Sequence, residues 1–394
     1  MIDLDYLKRT TDKIFSLEEL KEKLKSKKPL KIKYGVDVTA PFLHIGHAVN
    51  LWMMRHFQEN GHKVIFLIGD FTTKIGDPTG KTKTRQIISK EDIEKNSKEF
   101  VRQVSKILIT DKKVFEIKYN SDWFDKISLD KFLSLSSMLT YSKLIQRDMF
   151  QKRINKNLEI HMHEMLYPIL QGYDSVVLES DLTIVGTDQL FNELIGRFYQ
   201  EKFNQKPQVI ITTRITPGTD GKEKQSKSLS NYIALDDNPK DKFGKVMSLP
   251  DYLILSYMEV YTKLPMEFIE DIRVSIKEKK INPMDAKKAL ARAIVERYHG
   301  SEIAEREESW FENAFSKRKT PEAIPKIDVS IDENLISILK KCMPDSSKSA
   351  IIRLIKQGGV RLNGEKVVFE ALPKVNDKDI LKIGKIRWFE IRLS

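Results

Sequence analysis

An α/β fold built on a parallel sheet is predicted for the first part of this 394-residue chain. Residues 30–36 and 63–71 are short apolar segments typical of strands, and the second is apolar enough to be buried. Between them, residues 45–60 carry apolar side chains at helical spacing, and Gly61 ends the pattern. A strand, a helix and a second strand in this order form a βαβ unit. Its strands are parallel, and its ligands bind at their carboxyl ends.

The strand pattern continues beyond this unit with one interruption. Further strands are predicted near residues 114–119, 183–186 and 208–212. Residues 121–164 are mostly helical in pattern, so we expect them to form a helical insertion. The domain that contains the sheet and this insertion is expected to span residues 1–232.

The second half of the chain predicts two smaller domains joined by a linker. Asn282 and Pro283 begin a helix with a stripe of apolar residues, which is typical of a packed core, and Gly300 ends it. A basic segment with two prolines follows and has the composition of a linker. Beyond it, a helix, a Gly-Gly turn and short strands predict a small α+β domain. The predicted parts are an α-helical domain over residues 233–317, a linker over residues 318–330 and the α+β domain over residues 331–394.

Composition narrows the classes of protein to which the chain can belong. It has no apolar run near the roughly 18 residues that a membrane span needs, and its first residues lack the pattern of a signal peptide. A single cysteine, Cys342, excludes an intrachain disulfide and agrees with a reducing compartment. We therefore expect a cytoplasmic protein without membrane attachment.

Positive charge is concentrated at the C-terminal end. The formal net charge is +12, and residues 340–394 contain 13 Lys and Arg against 6 Asp and Glu, a net charge of +7. Such an excess predicts contact with a phosphate backbone, although a solvated charged face would have the same composition.

The first candidate site is a His-Ile-Gly-His sequence at residues 44–47, where the first strand leads into the helix. The spacing of His44 and His47 puts both imidazoles on one face of the first helical turn, whose free N–H groups and dipole favour phosphate groups. Gly46 has no side chain, so an adenine ring could lie against the backbone. A pair of solvated or structural histidines would have the same spacing.

The second candidate site is a Lys-Gln-Ser-Lys-Ser sequence at residues 224–228. Lys224 and Lys227 lie in a polar stretch that contains glycines. Such a loop could close over departing pyrophosphate, although a solvated turn would also fit. The two sequences together, in this order and on a βαβ unit, resemble the paired signature of the class I aminoacyl-tRNA synthetases. The resemblance implies a Rossmann-type catalytic domain, with residues 233–317 as a helical domain on the anticodon side.

A third cluster predicts an amino-acid pocket. Tyr167, Gln171 and Asp174 follow one another at i, i+4 and i+7, so on a helix they share one face. Together with three other blocks they resemble the tyrosyl-tRNA synthetases in order and spacing, across roughly residues 30–265. The matching blocks are residues 75–78, 120–123, 163–174 and 186–189.

The resemblance implies a reaction in two steps. Tyrosine attacks ATP and releases pyrophosphate, and the tyrosyl group then passes from the adenylate to the 3′ end of tRNA(Tyr). ATP is expected with Mg²⁺ as a substrate complex. No organic cofactor and no metal held by the protein are expected, because His161 and His163 lack a further ligand set.

The same resemblance implies roles for individual residues. Asp77, Tyr167 and Gln171 would hold the substrate ammonium, Asp174 would accept from the phenol and Gln189 would orient the substrate. Tyrosyl-tRNA synthetases are the known example of a site that rejects phenylalanine by hydrogen-bonding this hydroxyl. The residues implied to catalyse the reaction, through charge placed on the phosphates, are His44, His47, Lys224 and Lys227. The residues implied to bind ATP are Asp37, Thr39, Gly46, Asn50, Gly186, Asp188 and Lys227. The residues implied to bind tyrosine are Asp77, Asn120, Tyr167, Gln171, Asp174 and Gln189.

Several positions depart from the family pattern. Val38 replaces the usual proline, Gln225 replaces the usual methionine, and residues 184–185 are Ile-Val where the family mostly has glycine. One branch of the family has a phenol-contacting tyrosine at the position of Lys33. Tyr34 is one residue late for that contact, so it is assigned none.

The C-terminal part resembles a small RNA-binding domain shared with a ribosomal small-subunit protein. Arg353 and Lys356 lie on one face of a predicted helix over residues 347–357, and Arg361 follows the turn, so all three could contact phosphates. The family resemblance also implies a homodimer formed through the helical insertion.

Two alternatives stay open from the sequence. A tryptophanyl-tRNA synthetase is built on a similar core, but the Tyr-x₃-Gln-x₂-Asp helix and the RNA-binding tail argue against it. An RNA-binding protein on a synthetase scaffold without activity is the second. Against it stand the intact residues His44, His47, Asp77, Asp188 and Lys227.

Overall fold

The computed structural model describes most of the chain as two compact units, Met1–Gly300 and Ser301–Ser394. Each unit is described by itself below. Lys227, Ser228 and residues 317–323 of the predicted linker region lie outside the described residues. The described residues are 2, 4–26, 28–39, 42–77, 88–226, 229–316, 324–330, 333–344, 346–370, 372–384 and 387–393.

A six-stranded sheet forms the centre of the first unit. In chain order its strands are β1 (Thr11–Phe15), β2 (Lys31–Val36), β3 (Lys63–Ile68), β4 (Phe115–Tyr119), β5 (Leu182–Gly186) and β6 (Val209–Thr213). Across the sheet the order is β1-β6-β5-β2-β3-β4. Strands β2 to β6 pair in parallel, and β1 pairs antiparallel with β6. The predicted parallel sheet is confirmed for five strands, and β1 makes the sheet mixed.

Strand β1 has no equivalent among the sequence predictions. It is an edge strand with exposed Asp12 and Lys13 at its centre. Because an edge strand is only partly buried, its sequence lacks the apolar run that marked β2 and β3.

Helices cover the sheet, and the predicted insertion is helical. The four short helices α6 to α9 lie between β4 and the long helix α10, as the pattern of residues 121–164 predicts. In chain order the helices are α1 (Leu4–Thr10), α2 (Leu17–Lys25), α3 (Ile45–Glu59), α4 (Asp70–Ile75), α5 (Lys90–Val104), α6 (Ser121–Phe124), α7 (Leu129–Ser137), α8 (Tyr141–Ile145), α9 (Asp148–Ile154), α10 (Met162–Leu178), α11 (Leu190–Lys202), α12 (Pro239–Met247), α13 (Ile254–Tyr261), α14 (Met266–Lys277) and α15 (Pro283–His299).

Two glycines let α10 and α11 approach each other closely. A Cβ atom on Gly172 would lie 2.8 Å from Ile195 Cγ2, and one on Gly196 would lie 2.6 Å from Ser175 Oγ. Any larger residue at either position would push the helices apart. The predicted pocket residues Tyr167, Gln171 and Asp174 lie on α10.

The second unit combines helices with a five-stranded sheet. Its helices are α16 (Ser301–Phe311), a π-helical turn at Glu312–Ser316, α17 (Leu335–Cys342) and α18 (Lys348–Lys356). Its strands are β7 (Lys326–Val329), β8 (Val360–Leu362), β9 (Glu365–Lys366), β10 (Ile380–Ile383) and β11 (Arg387–Leu393), in the order β7-β11-β10-β8-β9.

Strand β7 corrects the predicted boundary of this domain. Its residues, Lys326–Val329, were predicted as the end of a linker over residues 318–330, but they pair in parallel with β11. A strand of four residues that follows Pro325 is too short to give a pattern of its own. The predicted helix at residues 347–357 is confirmed as α18. Among the described residues, no helix has the length and apolar character needed to cross a membrane.

Candidate active site

Several of the functional residues predicted in the first unit follow the carboxyl ends of its parallel strands. Strands β2 and β5 are neighbours there, and the chain runs outward from them in opposite directions, to β3 and β4 on one side and to β6 on the other. Sheets of this kind bind their ligands in the crevice that such a reversal opens. Asp37 follows β2, and Asp188 and Gln189 follow β5.

The two histidines of the first motif lie at the start of α3. His44 is the N-cap and His47 lies in the first turn, and their ring centroids are 3.9 Å apart. His44 Nδ1 accepts from the Gly46 N–H at 3.2 Å, and His47 Nδ1 accepts from the His44 N–H at 3.3 Å. Since each Nδ1 is an acceptor, a neutral ring carries its proton on Nε2 and can donate it to a ligand.

Glycine is needed at position 46 for a second, structural reason, which the sequence did not reveal. A Cβ atom at this position would lie 2.9 Å from the His44 ring. A side chain would therefore displace the imidazole from the backbone N–H that it caps. The glycine positions His44 as well as leaving room above the backbone.

Burial disfavours the charged form of both rings, which argues against the expectation that they bring positive charge to phosphates. Burial, followed by the charges of His47 and Lys224, lowers the pKa of His44 to about 2. Burial also lowers the pKa of His47 to about 4, although Asp188 opposes the shift. As whole residues, both histidines are partly exposed. The pair therefore supplies N–H donors.

The second motif reaches the same crevice through Lys224. Its Nζ lies 3.1 Å from Asp188 Oδ2, and both side chains are partly exposed. A Cβ atom on Gly186 would lie 2.7 Å from Asp188 Oδ1, so glycine allows this carboxylate to fold back against the end of β5. Lys227, the other lysine of the motif, lies outside the described residues.

Asn50 and Thr39 were also predicted to bind ATP, and each lies in different surroundings from the residues above. Asn50 is 7% exposed, and its Oδ1 accepts from Thr213 Oγ1 at 2.6 Å. Its side chain also hydrogen-bonds Tyr34. Asn50 is thus engaged between α3 and the sheet and is not presented to the crevice. Thr39 lies half-buried on the loop between β2 and α3.

Tyr167, Gln171 and Asp174 lie on one helix, α10, as their spacing predicts. Tyr167 OH donates to Asp37 Oδ2 at 3.1 Å. The same oxygen accepts from the backbone N–H of Asp77 at 3.3 Å. Asp37, which the resemblance assigned to ATP, thus also ties the amino-acid pocket to the end of β2.

A chain of hydrogen bonds joins α10 to the residues after β5. Gln189 Nε2 donates to Asp77 Oδ2 at 2.7 Å. Asn192 Nδ2 donates to Gln189 Oε1 at 3.1 Å and to Gln171 Oε1 at 2.7 Å. Gln171 Nε2 donates to Glu193 Oε1 at 2.9 Å. Asn192 Oδ1 is buried without a hydrogen-bond partner among the residues that the structure describes, so it can accept from a ligand.

Asp174 is the least exposed of the three predicted pocket residues on α10, at 3%. Trp123 Nε1 donates to its Oδ1 at 3.0 Å, and Asn120 Nδ2 donates to its Oδ2 at 3.5 Å. Burial raises the pKa of Asp174 to about 8, against the opposing effects of Lys33 and the two donors. A buried carboxyl with two N–H donors on its oxygens is suited to bind one further hydroxyl group.

Four residues close to this pocket were given no role from the sequence: Trp123, Arg147, Lys33 and Glu193. Arg147, from the helical insertion, places Nη2 3.7 Å from Asp77 Oδ1. Lys33 Nζ lies 2.8 Å from Glu193 Oε2 in the interior. No local signal marks this pair, because Lys31 and Lys33 alternate with apolar residues in β2, as in a strand with one exposed face.

The departures from the family pattern have local explanations. The N–H of Val38 donates to Thr73 Oγ1 at 3.0 Å, a bond that a proline could not make. Gln225 is 6% exposed, and its Nε2 donates to Tyr261 OH at 3.0 Å, so it anchors the start of the lysine loop. Residues 184–185 are buried in β5.

Comparison with known proteins points to one family. The family model described as tRNA synthetases class I (W and Y) matches residues 25–316. The tyrosine–tRNA ligase of Thermotoga maritima is 42% identical over 386 residues, which is 98% of this chain and 96% of that protein. The tyrosine–tRNA ligase of Haemophilus influenzae is 42% identical over 390 residues, again 98% of this chain and 96% of that protein.

A solved structure agrees at the level of the fold. A C-terminally truncated mitochondrial tyrosyl-tRNA synthetase from Coccidioides posadasii matches with a TM-score of 0.61 at 24% identity, over 78% of this chain and 90% of that one. The resemblance found in the sequence motifs is thereby confirmed, and the tryptophanyl alternative is set aside because the full-length relatives are tyrosine–tRNA ligases. The chain belongs to the class I aminoacyl-tRNA synthetases, in the family of the tyrosine–tRNA ligases.

Proposed function

We propose that the crevice between β2 and β5 carries both steps of the tyrosine–tRNA ligase reaction. The enzyme activates L-tyrosine with ATP to tyrosyl-adenylate and pyrophosphate, and then transfers tyrosine to the 3′ end of tRNA(Tyr). The observation that carries the assignment is the arrangement of Asp174. A buried carboxyl with two N–H donors lies on the same helix as Tyr167 and Gln171. That arrangement suits an amino acid with a hydroxyl at the end of its side chain.

Oxygen atoms of several side chains near Asp174 are suited to accept hydrogen bonds from the substrate ammonium. We assign the ammonium to Asp77, Tyr167 and Gln171, with Gln189 orienting the substrate beside them. Asn192 adds a further acceptor for the ammonium, because its buried Oδ1 has no hydrogen-bond partner among the described residues. Asn120 supports the phenol end through its hydrogen bond to Asp174.

The opposite part of the crevice is assigned to ATP. Asp188 would bind the ribose next to Gly186, and the start of α3 with His44, Gly46 and His47 would face the phosphates. Two Nε2–H donors at a helix N-terminus favour an anion without carrying charge themselves. Further contacts are proposed for Asp37 and Thr39, and Mg²⁺ is expected to arrive with ATP, held by phosphates and water.

The chemistry requires no nucleophile from the enzyme. The substrate carboxylate attacks the α-phosphate, and pyrophosphate leaves as the bond to its bridging oxygen breaks. The protein contributes by holding the two substrates in reacting geometry. It also contributes donors and cations where negative charge develops on the phosphates, and we assign these to His44, His47, Lys224 and Lys227.

Amino-acid-dependent exchange of pyrophosphate into ATP tests the assignment directly. With each of the twenty amino acids in turn, tyrosine alone is expected to support exchange. Exchange with tryptophan would indicate the tryptophanyl activity. No exchange with any amino acid, from a folded protein that still binds RNA, would indicate an RNA-binding protein without catalysis.

The predicted RNA-binding domain, residues 331–394, is proposed to contact tRNA, and residues 233–317 are proposed to form the domain on the anticodon side. Arg353, Lys356 and Arg361 are all exposed, so they can reach phosphates without unfolding. The variant Arg353→Gln/Lys356→Gln/Arg361→Gln should keep tyrosine-dependent pyrophosphate exchange and raise the KM for tRNA(Tyr). The slope of tRNA affinity against salt should fall by about one for each phosphate that the variant no longer neutralises. If the variant charges tRNA normally and the salt dependence of its tRNA affinity is unchanged, these three residues do not contact tRNA.

The helical insertion is proposed to form a homodimer, as the family resemblance implies. Among the described residues, several large apolar side chains of this segment are exposed, and interfaces between subunits bury side chains of this kind. Light scattering is expected to give about twice the 45.8 kDa of one chain, and a mass of one chain would contradict the proposal. The exposed residues are Leu129, Leu133, Tyr141, Ile154, Leu158 and Met162.

A further inference from the structure

Two charged side chains in the interior of the first unit have no place in the residues assigned above. Lys33 lies on β2 and Glu193 lies on α11. Lys33 Nζ is 2.8 Å from Glu193 Oε2, and both side chains are 2% exposed. Removing charges from water is costly even when they pair, so a buried ion pair is weak evidence for stability. Its position suggests another reason.

The pair is hydrogen-bonded to the elements that carry the pocket. Lys33 Nζ donates to Ser175 Oγ at 2.7 Å, on α10. Glu193 Oε2 also accepts from Gln208 Nε2 at 2.7 Å, just before β6. Its other oxygen, Oε1, accepts from Gln171 Nε2 at 2.9 Å. The pair therefore joins β2, α10, α11 and β6, and one of its partners is the amide of the pocket glutamine.

We infer that the Lys33–Glu193 ion pair is a positioning element of the tyrosine pocket, which fixes the direction of the Gln171 amide. A carboxylate can only accept hydrogen bonds, so Glu193 holds the NH₂ group of Gln171 on its own side. The oxygen of Gln171 is then directed to Asn192 and to the pocket. If the amide turned round, its oxygen would face a carboxylate oxygen and both would lose a hydrogen bond. The inference rests on the proposed function, in which Gln171 holds the ammonium of tyrosine.

Lys33 also acts on the phenol end of the pocket. Its charge lowers the pKa of Asp174, against the burial that raises it. Lys33 occupies the position at which one branch of the family has a tyrosine that contacts the phenol. Here the ammonium of Lys33 bonds Ser175 and Glu193. Lys33 therefore supports the pocket through these two residues and makes no direct contact with the phenol.

The variant Glu193→Gln separates positioning from simple packing. It keeps the volume of the side chain but has one acceptor oxygen where Glu193 has two. With that oxygen on Lys33, an NH₂ group faces the NH₂ group of Gln171, and the pocket amide must turn. We expect the KM for tyrosine to rise about 10-fold or more in pyrophosphate exchange, with the KM for ATP unchanged.

A matched control comes from the same helix. Arg197 pairs through Nη1 and Nη2 with Glu19 at 2.7 and 3.0 Å, and its Nη1 also donates to the Gln208 carbonyl at 2.6 Å. The substituted residue, Glu19, lies on α2, outside the residues proposed to bind tyrosine. Glu19→Gln should lower the melting temperature, because it removes an ion pair of α11, and should leave the KM for tyrosine unchanged. A role of Lys33 and Glu193 in stability alone would make the two variants alike.

A double variant keeps the test decisive if Glu193→Gln does not fold. Lys33→Met/Glu193→Leu removes both charges together, which buried pairs often tolerate without loss of stability. It also removes the acceptor of Gln171, so the raised KM for tyrosine should remain. Wild-type KM for tyrosine in either folded variant overturns the inference. Absence of tyrosine-dependent exchange in the wild-type enzyme would instead overturn the proposed function.

Discussion

Replacing Asp174 with alanine is expected to lower kcat/KM for tyrosine activation by about 2–4 kcal/mol of transition-state stabilisation. The phenol would lose its acceptor in a pocket from which water is largely excluded. Trp123 Nε1 and Asn120 Nδ2, which now donate to Asp174 at 3.0 and 3.5 Å, would lose theirs as well. Trp123 is partly exposed, and Asn120 Nδ2 also donates to Thr72 Oγ1 at 3.1 Å, so we expect most of the effect to come from the unpaired phenol hydroxyl.

Selectivity is the measurement that identifies this role. Steady-state exchange with tyrosine and with phenylalanine should show that Asp174→Ala loses activity with tyrosine while changing little with phenylalanine, so discrimination narrows. Asp174→Asn is the matched variant, since it keeps the volume and an oxygen for Trp123. Its discrimination between tyrosine and phenylalanine should fall between those of the wild type and of Asp174→Ala. Unchanged discrimination in folded Asp174→Ala would remove Asp174 from the phenol contact.

Spacing along one helix was readable from the sequence, whereas contacts between distant segments were not. Tyr167, Gln171 and Asp174 share α10, and their periodicity alone predicts a common face. Lys33 and Glu193 are 160 positions apart, and no local pattern links a residue on β2 to one on α11. Their pairing depends on the order of β2 and β5 in the sheet, which the sequence did not determine.

The charge of the two histidines is a second property that required the structure. Their spacing predicted correctly that both begin α3. It could not predict that burial lowers the pKa of both rings, because burial is set by the segments packed around them. We therefore expect the two histidines to act as hydrogen-bond donors and Lys224 and Lys227 to supply the positive charge.

Of these two lysines, Lys224 is already engaged. Its Nζ lies 3.1 Å from the carboxylate of Asp188, and that pairing offsets much of its charge at the place where the ribose is proposed to bind. Asn231 holds the residues that precede Lys227: its Oδ1 accepts from the Ser226 N–H at 2.8 Å, and its Nδ2 donates to the Glu223 carbonyl at 3.2 Å.

Lys227→Ala is therefore expected to slow tyrosyl-adenylate formation by about 100-fold or more at saturating ATP and tyrosine. A cation that meets the phosphates as charge builds on them lowers the barrier without tightening binding of the ground state. Affinities for ATP and tyrosine should change little. Pre-steady-state measurement of adenylate formation gives both quantities, and Lys222→Ala, an exposed lysine of the same loop, is the control that should keep its rate. A Lys227→Ala enzyme with a normal rate and weakened ATP binding would make this lysine an anchor for the substrate, and the cation of the transition state would have to be sought in Lys224.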